Sequence, residues 1–460
     1  MEQNAAIGGC LQSFQRDDYL FDTGFHYIGG IGPGESLHPF FRYYDLLSLP
    51  WHQLDTNCYD EVCLGSKIFP IASGHQRFAE QLSSYFPSER KSILKYTDFM
   101  RKVGEHLPHS FNFEEHDDFS SRKLLEQSAY QFIQSCTQNT LLQNVLAGTS
   151  LKMELCADTL PLYCFAQINN SYLQSAWRLK GPSKQIPLHL AQAIQQMGGE
   201  IRTSAKVVQI EEKDKQITAL CLNNGERLSA DCYISDVHPA TTLSWLGENT
   251  GIRKSYRHRI RQTANTFGMF TLHLRLKPHC VRYLNRNIFI HREEADLWNF
   301  NPQRIESVMI HFYVPENSEY ATAIDILTPM QWQQVQQWAE KSGKNEEYQL
   351  FKQEKAEECL QLVAERLPDL KKSILQSYVS TPLTYARFTG TFEGSAYGIR
   401  KDYQHIHSTV LPVKSPLGNL FYTGQNLNLH GILGVSITSF LTCGEILGMD
   451  TLLPQLQLSD

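Results

Sequence analysis

Histidine and tyrosine side chains can pass a proton to or from carbon, and three of those in this sequence are candidates. His26 and Tyr27 sit together in Asp22-Thr-Gly-Phe-His-Tyr-Ile-Gly29, and His430 precedes Gly431-Ile-Leu-Gly-Val435. An imidazole titrates near neutrality and a phenol can relay a proton, so each is a candidate acid, with structural hydrogen bonding as the alternative role. Two carboxylates, Asp22 and Asp236, read instead as turn and N-cap residues. Arg178 reads as the partner of a carboxylate.

The segment around His430 is also shaped to hold a ligand. Leu420 to Thr423 is a short apolar strand ended by Gly424, and beyond Gly431 the apolar residues Ile437, Phe440, Leu441 and Ile446 fall at helical spacing. The helix start of such a unit presents unpaired backbone N–H groups and a positive dipole end, which suit a pyrophosphate or the electron-rich edge of a reduced ring. Gly424 allows close approach to the backbone, and Gln425 and Asn426 offer side-chain amides. An ordinary strand-to-helix connection in an α/β core has the same pattern.

Together with the head of the chain, Met1-Glu-Gln-Asn-Ala-Ala-Ile-Gly-Gly-Cys-Leu-Gln-Ser-Phe14 and Phe21-Asp-Thr-Gly-Phe-His-Tyr-Ile-Gly-Gly30, this tail resembles the carotenoid desaturase and retinol saturase family of flavoproteins. The stretch Asp22 to Gly29 is closer to the saturase branch. Further similar stretches are Ser175-Ala-Trp-Arg178, Gly198-Gly-Glu-Ile201 with Val207, Ile234-Ser-Asp-Val-His-Pro239, and Thr381-Pro-Leu-Thr384 through Glu393-Gly-Ser-Ala-Tyr-Gly398. They span almost the whole chain. The resemblance implies a two-domain α/β fold: an FAD-binding, Rossmann-like unit of the amine-oxidase and phytoene-desaturase type, with a substrate domain of mixed sheet and helices.

Carried over residue by residue, the resemblance implies cofactor contacts from Glu2, Gly8, Gly9, Val207, Gly424, Gln425, Asn426, Gly431, Ile432 and Leu433. Glu2 would bind the adenosine ribose hydroxyls, and the backbone of Val207 would meet the adenine. Cys10 stands where related flavoproteins often have Arg and reads as a buried neutral thiol. NAD(P)H is compatible as an external reductant.

The nucleotide end departs from the pattern. A dinucleotide unit begins with a strand, a G-x-G-x-x-G turn and a helix ahead of its acidic residue. If Glu2 is that acid, a strand–turn–helix of roughly 30 residues is expected to be missing from the start. No G-x-G-x-x-G occurs later, and Pro33 makes Gly29-Gly-Ile-Gly-Pro-Gly34 a plain loop. A parallel sheet without its first strand leaves buried polar groups unpaired at roughly 1–3 kcal/mol each, against a net stability of about 5–15 kcal/mol. Weak FAD binding, or none, is the resulting expectation for the chain as written.

Composition sets outer bounds. A chain of 460 residues exceeds the single-core limit of about 250–300, so two intertwined domains are expected. The formal net charge of −6, with no Lys/Arg-rich run, disfavours nucleic acid as a partner. Eleven cysteines without a C-x-x-C or zinc-type pair fit a reducing cytoplasm and no metal, with Cys58 and Cys63 structural rather than bridged. No signal-peptide pattern opens the chain and no stretch has the roughly 18–20 apolar residues of a membrane span.

The periodicity divides the chain by element type. Residues 1–75 mix strand and loop; helical spacing then places Phe78, Leu82, Tyr85 and Phe86 on one face, and a second helical stretch runs from Ser121 to Leu146. Ile186 to Met197 is a helix stopped by Gly198-Gly199, and Asn223-Asn-Gly225 marks a hairpin turn. Phe270, Leu272, Leu274 and Leu276 alternate with Thr271, His273, Arg275 and Lys277, as in a sheet with one wet face. Ala356, Cys359, Leu360, Val363 and Leu367 mark an amphipathic helix. The expected division is an FAD-binding domain from 1–75, 180–240 and 415–460, and a substrate domain from 76–179 and 241–414, with the ligand between them.

The reaction implied is addition or removal of hydrogen across a carbon–carbon bond of an apolar polyene of retinoid or carotenoid type. Two alternatives stay open: another amine-oxidase-like flavoenzyme, which needs an aromatic cage, or a non-catalytic remnant that binds apolar ligands. The aromatic segment Leu37 to Trp51 could lie on a lipid surface or line a substrate entrance, although an aromatic helix is usually core.

Overall fold

The computed structural model describes residues 1–107, 119–247, 250–340 and 345–457. Its largest layer is a seven-stranded mixed sheet in the order Ile374–Ser380, Gly268–Leu276, Ala323–Met330, Ser307–Phe312, Asn287–His291, Asp60–Leu64, Lys67–Ile71. Neighbours are antiparallel except Asn287–His291 and Asp60–Leu64, which run parallel. Thus the strands of residues 60–71, far from the rest in sequence, extend the sheet made by residues 268–380.

The alternation along Gly268–Leu276 separates two faces, as its period requires, but the polar face is wet only at its end, where Arg275 is partly exposed and Lys277 exposed. Phe270, Leu272, Leu274 and Leu276 pack with Cys359, Leu362 and Val363 of the helix Glu346–Ala364. Thr271 and His273, expected on a solvated side, are fully buried. The reason is a second layer: the hairpin of Ser13–Arg16 and Tyr19–Asp22 lies over that face, with the Phe14 and Phe21 rings 5.0 and 5.4 Å from the His273 imidazole. A polar strand face therefore became a buried polar cluster.

A helical layer, Leu162–Gln174 at its centre, covers the other end of the molecule; nearly every side chain of that helix is buried. The helical stretch expected from Ser121 to Leu146 consists of three short helices, Ser121–Leu125, Ala129–Cys136 and Thr140–Ala147, two of them started by side-chain caps from Ser128 and Asn139. A small sheet joins Ile28–Gly29, Ala176–Leu179 and Trp51–Gln53. Residues 207–228 form an antiparallel three-stranded unit, and Tyr233–Ser235 pairs in parallel with Leu420–Tyr422.

The helix Gly431–Leu447 follows that last strand and packs Phe440 against Phe40 at 5.3 Å. Leu37, Phe40, Phe41 and Leu46 are accordingly core residues. Among the described residues no helix is long and apolar enough to cross a membrane.

Candidate active site

Both ends of the chain meet at one cavity of about 550 Å³. Residues 23–29 form one side of its lining, Gln425 and His430–Leu433 another, and Leu151, Lys152, Tyr172, Tyr385 and Tyr397 are among the rest. His26, Tyr27 and His430, far apart in sequence, are all on its wall. So are Leu37, Tyr44 and Leu46 of the aromatic segment.

The turn before Gly431–Leu447 is held open toward this space. His430 is the N-cap position, yet its side chain does not cap the helix; its Nε2 donates instead to the backbone oxygen of Lys152, 3.2 Å away. Gly431 has a left-handed φ of +71° and nothing within 4 Å of where a Cβ would stand. The first N–H groups of a 17-residue helix are thus left without a side-chain acceptor beside the cavity. Behind them Asn426 is fixed: its Oδ1 accepts the Ile399 N–H at 3.1 Å and its carbonyl accepts from Lys401 Nζ at 2.7 Å. On the same turn Thr423 Oγ1 is a buried hydroxyl without a partner among the described residues.

These features fit the electron-rich edge of a flavin ring. For the pyrophosphate end the sequence offers no G-x-G-x-x-G. Glu2, Gly8, Gly9 and Val207 lie outside the cavity lining. Backbone bonds from Glu2 N to Arg202 O and from Ala205 N to Glu2 O, at 2.8 and 2.9 Å, nevertheless bring Glu2 alongside the approach to Val207.

The three candidate acids differ sharply in what holds them. Tyr27 donates its hydroxyl to Asp60 Oδ2 at 2.8 Å, and burial with that neighbouring carboxylate raises its pKa well above the ordinary phenol value. His430 is held down to about 4 by burial. His26 is also at about 4, through burial, despite Asp325 at 3.7 Å from its Nε2. Both imidazoles are therefore neutral at pH 7.

Behind His26 lies the cluster under the hairpin. Asp325 Oδ1 accepts from His273 Nδ1 at 2.8 Å, its Oδ2 accepts from Tyr313 at 2.7 Å, and the Tyr313 oxygen accepts the Asp22 N–H at 2.9 Å. Asp22 Oδ1 in turn accepts from Ser13 Oγ and from the Ser183 backbone and hydroxyl, tying the hairpin to the start of the helix at 185. Asp22 is a structural tie. Among the described residues Arg178 has no carboxylate partner, contrary to expectation. Its guanidinium donates to the Leu284 and Arg286 carbonyls, Asn287 Oδ1 and the Tyr283 hydroxyl. The turn at 284–287 presents an array of oxygens that matches the guanidinium fork without an anion.

Sequence reasoning passed over Lys152. Its Nζ lies 4.4 Å from the Tyr172 ring centre, 5.9 Å from that of Tyr59 and 6.0 Å from that of Tyr27, with Asp60 Oδ2 at 3.5 Å. An aromatic cage is present, and the chain's own ammonium fills it. The only local signal was one charge between Leu151 and Met153, both buried.

Comparison with known proteins agrees with this architecture. The family described as flavin containing amine oxidoreductase matches residues 1–439. The chain is 24% identical to an all-trans-retinol 13,14-reductase of Danio rerio over 97% of its own length and 81% of that protein, and 24% identical to the Homo sapiens protein of the same name over the same shares. A Danio rerio relative named as an inactive all-trans-retinol 13,14-reductase is 20% identical, covering 100% of this chain and 83% of that one. Among solved structures, wild-type putrescine oxidase bound to putrescine superposes with a TM-score of 0.64 at 14% identity, over 97% and 92% of the two chains. An oxidoreductase from Methanosarcina mazei gives 0.61 at 14% identity, over 95% and 92%. FAD is accordingly the cofactor, and a mixed α/β flavoprotein the fold. With a match over nearly all of its length and a cavity closed by both of its ends, the chain belongs to the flavin containing amine oxidoreductase family.

Proposed function

We propose that this flavoenzyme adds hydrogen across a carbon–carbon double bond of an apolar, conjugated polyene of the retinoid class. The observation that carries the reading is the cavity wall. Apart from Lys152, no lysine, arginine or carboxylate is among its described lining residues, and Phe25, Ile28, Leu37, Ile168, Met269 and Leu327 supply apolar surface. Such a wall selects a ligand by excluding water and burying hydrocarbon rather than by pairing charge. Similarity to the retinol reductases supports the same substrate class.

Flavin bound at the Gly431 helix start would supply the hydride chemistry. The chain's own contribution is to orient the polyene along the apolar wall, to keep water out, and to offer the backbone N–H groups of residues 431–433 to the cofactor's electron-rich edge. The proposed cofactor contacts at this end are Gly424, Gln425, Asn426, Gly431, Ile432 and Leu433, with Glu2, Gly8, Gly9 and Val207 toward the adenosine.

Amine oxidation is the competing reading, favoured by the likeness to amine oxidase folds. Occupation of the tyrosine cage by Lys152 argues against it, since a substrate ammonium would have to displace a covalently attached one beside the same carboxylate.

The test is anaerobic. Purified protein, its flavin content measured by absorbance, is photoreduced and mixed with all-trans-retinol. Loss of polyene absorbance together with flavin reoxidation is the expected result. Reoxidation absent with retinol, but flavin reduction on adding putrescine to oxidised protein, would overturn the proposal in favour of an amine. Retinol bound to flavin-free protein without change would make the chain a binder.

A further inference from the structure

The proposed reaction needs a proton at one carbon, and the three groups suggested by the sequence are poor sources. His26 and His430 are neutral, and the Tyr27 hydrogen is committed to Asp60. Lys152 is placed differently. Lys152 lines the cavity, and its ammonium meets Asp60 Oδ2 at 3.5 Å on one edge and the Tyr172 face on another, with no closer acceptor among the described residues.

We propose that Lys152 is the catalytic acid of this cavity, stored in the cage of Tyr27, Tyr59 and Tyr172 and turned toward the substrate when the cavity fills. The inference rests on the polyene reading. Transfer breaks one N–H bond of Lys152 and forms a C–H bond at the carbon beside the one that takes the hydride. The π bond is consumed, and the resulting amine regains its proton from water. Two backbone anchors keep the stem in place: His430 donates to the Lys152 carbonyl, and the Tyr397 hydroxyl donates to the carbonyl of Leu151.

The electrostatics suit the role. Burial lowers the Lys152 ammonium to about 8, with Asp60 opposing the fall, so it is charged at pH 7 yet a far better acid than a surface lysine. The charged and titratable groups around it are Asp60, Tyr27, Tyr59 and Tyr172, with Arg178 one step away through Asn287, which donates to Asp60 at 2.8 Å. Asp60 is a positioning residue: it keeps the ammonium charged and aimed.

The first measurement needs no flavin and no variant. Reductive methylation of the native protein with formaldehyde and cyanoborohydride, read lysine by lysine by mass spectrometry from pH 6 to 10, should show Lys152 reacting with a midpoint near 8. Surface lysines should follow a value of about 10.4. Complete inertness of Lys152 over that range would overturn the proposal, because its nitrogen would never reach the cavity.

The second uses the pre-reduced holoenzyme in single turnover with all-trans-retinol. Lys152→Met should slow polyene loss about 100-fold or more, with flavin content and retinol binding retained. Lys152→Arg, which keeps the charge should Lys152→Met fail to fold, should leave turnover slow but move the alkaline limb of the pH profile upward. Asp60→Asn should move that limb downward. Unchanged rate and pH profile in the Lys152 variants, with wild type active, would overturn the role of Lys152 alone. Wild type that binds retinol beside reduced flavin and leaves it intact would defeat the polyene reading, and this inference with it.

Discussion

Asp325 binds three elements through one carboxylate: His273 on the neighbouring strand, Tyr313 just past the next strand, and through Tyr313 the backbone of Asp22 in the covering hairpin. His26, on the cavity wall, stands 3.7 Å from the same group. The cavity wall and the buried polar layer beneath the hairpin are thus one connected structure.

Replacing Asp325 with Ala should therefore destabilise the fold strongly. The His273 N–H and the Tyr313 hydroxyl would both be left buried without their acceptor, at roughly 1–3 kcal/mol each. Urea unfolding followed by tryptophan fluorescence should show a loss of about 2–5 kcal/mol. A loss below about 1 kcal/mol would mean that water or a shifted side chain replaces the carboxylate.

At Gly431 the prediction is local. A Cβ there has space but forces a left-handed φ of +71°, costing about 1–2 kcal/mol, and it would stand where the flavin edge meets the helix start. Gly431→Ala should lower the flavin retained per protein at least several-fold while circular dichroism stays unchanged. Full retention would place the ring elsewhere.

Acid should destabilise this protein through its buried histidines. His26, His238, His291 and His430 are each held near 4 by burial, whereas an unfolded histidine titrates at 6.5. Because these folded values are depressed, the unfolded chain takes up more protons between them, and stability present above pH 6.5 is lost as pH falls toward 4, by roughly 1.4 kcal/mol per unit for each group. Asp22 and Asp236, raised to about 6, and Asp60 and Glu154, also raised by burial, act in the opposite sense, but His52, His75 and His311 are lowered as well, so the histidines outnumber them. The thermal midpoint should drop from pH 7 to 5. His291→Asn, at a site fully buried between Ser307 and the Gly148 carbonyl, should reduce the slope.

Tyr27→Phe distinguishes a structural phenol from a catalytic one. Its hydrogen is engaged with Asp60, so removal should cost about 1–2 kcal/mol of stability and no more than a few-fold in single-turnover rate. A drop of 100-fold with folding intact would make Tyr27 the proton source.

Much of the site could be read in advance wherever it depended on local chain geometry. The Leu420–Gly431 turn and its helix follow from apolar spacing and glycine placement, and the family likeness singled out the segment of His26 and Tyr27. The environment of each side chain could not be read. His26 and His430 have the same side chain as any surface histidine, and only burial makes them neutral. Arg178 was assigned a carboxylate because sequence cannot foresee that the turn at 284–287 would gather carbonyls around it.

The alternation of Gly268–Leu276 shows the limit most plainly. Period-two patterning specifies which residues share a face, since that is a property of the backbone alone. Whether the polar face meets water depends on what covers it, and here the cover is a hairpin some 250 residues earlier in the chain. By itself, then, the sequence determined the Leu420–Gly431 turn, the helix that follows it and the flavoprotein family. The tertiary structure alone decided which charges are buried and that Lys152 fills the tyrosine cage, because desolvation and pairing act through space rather than along the chain.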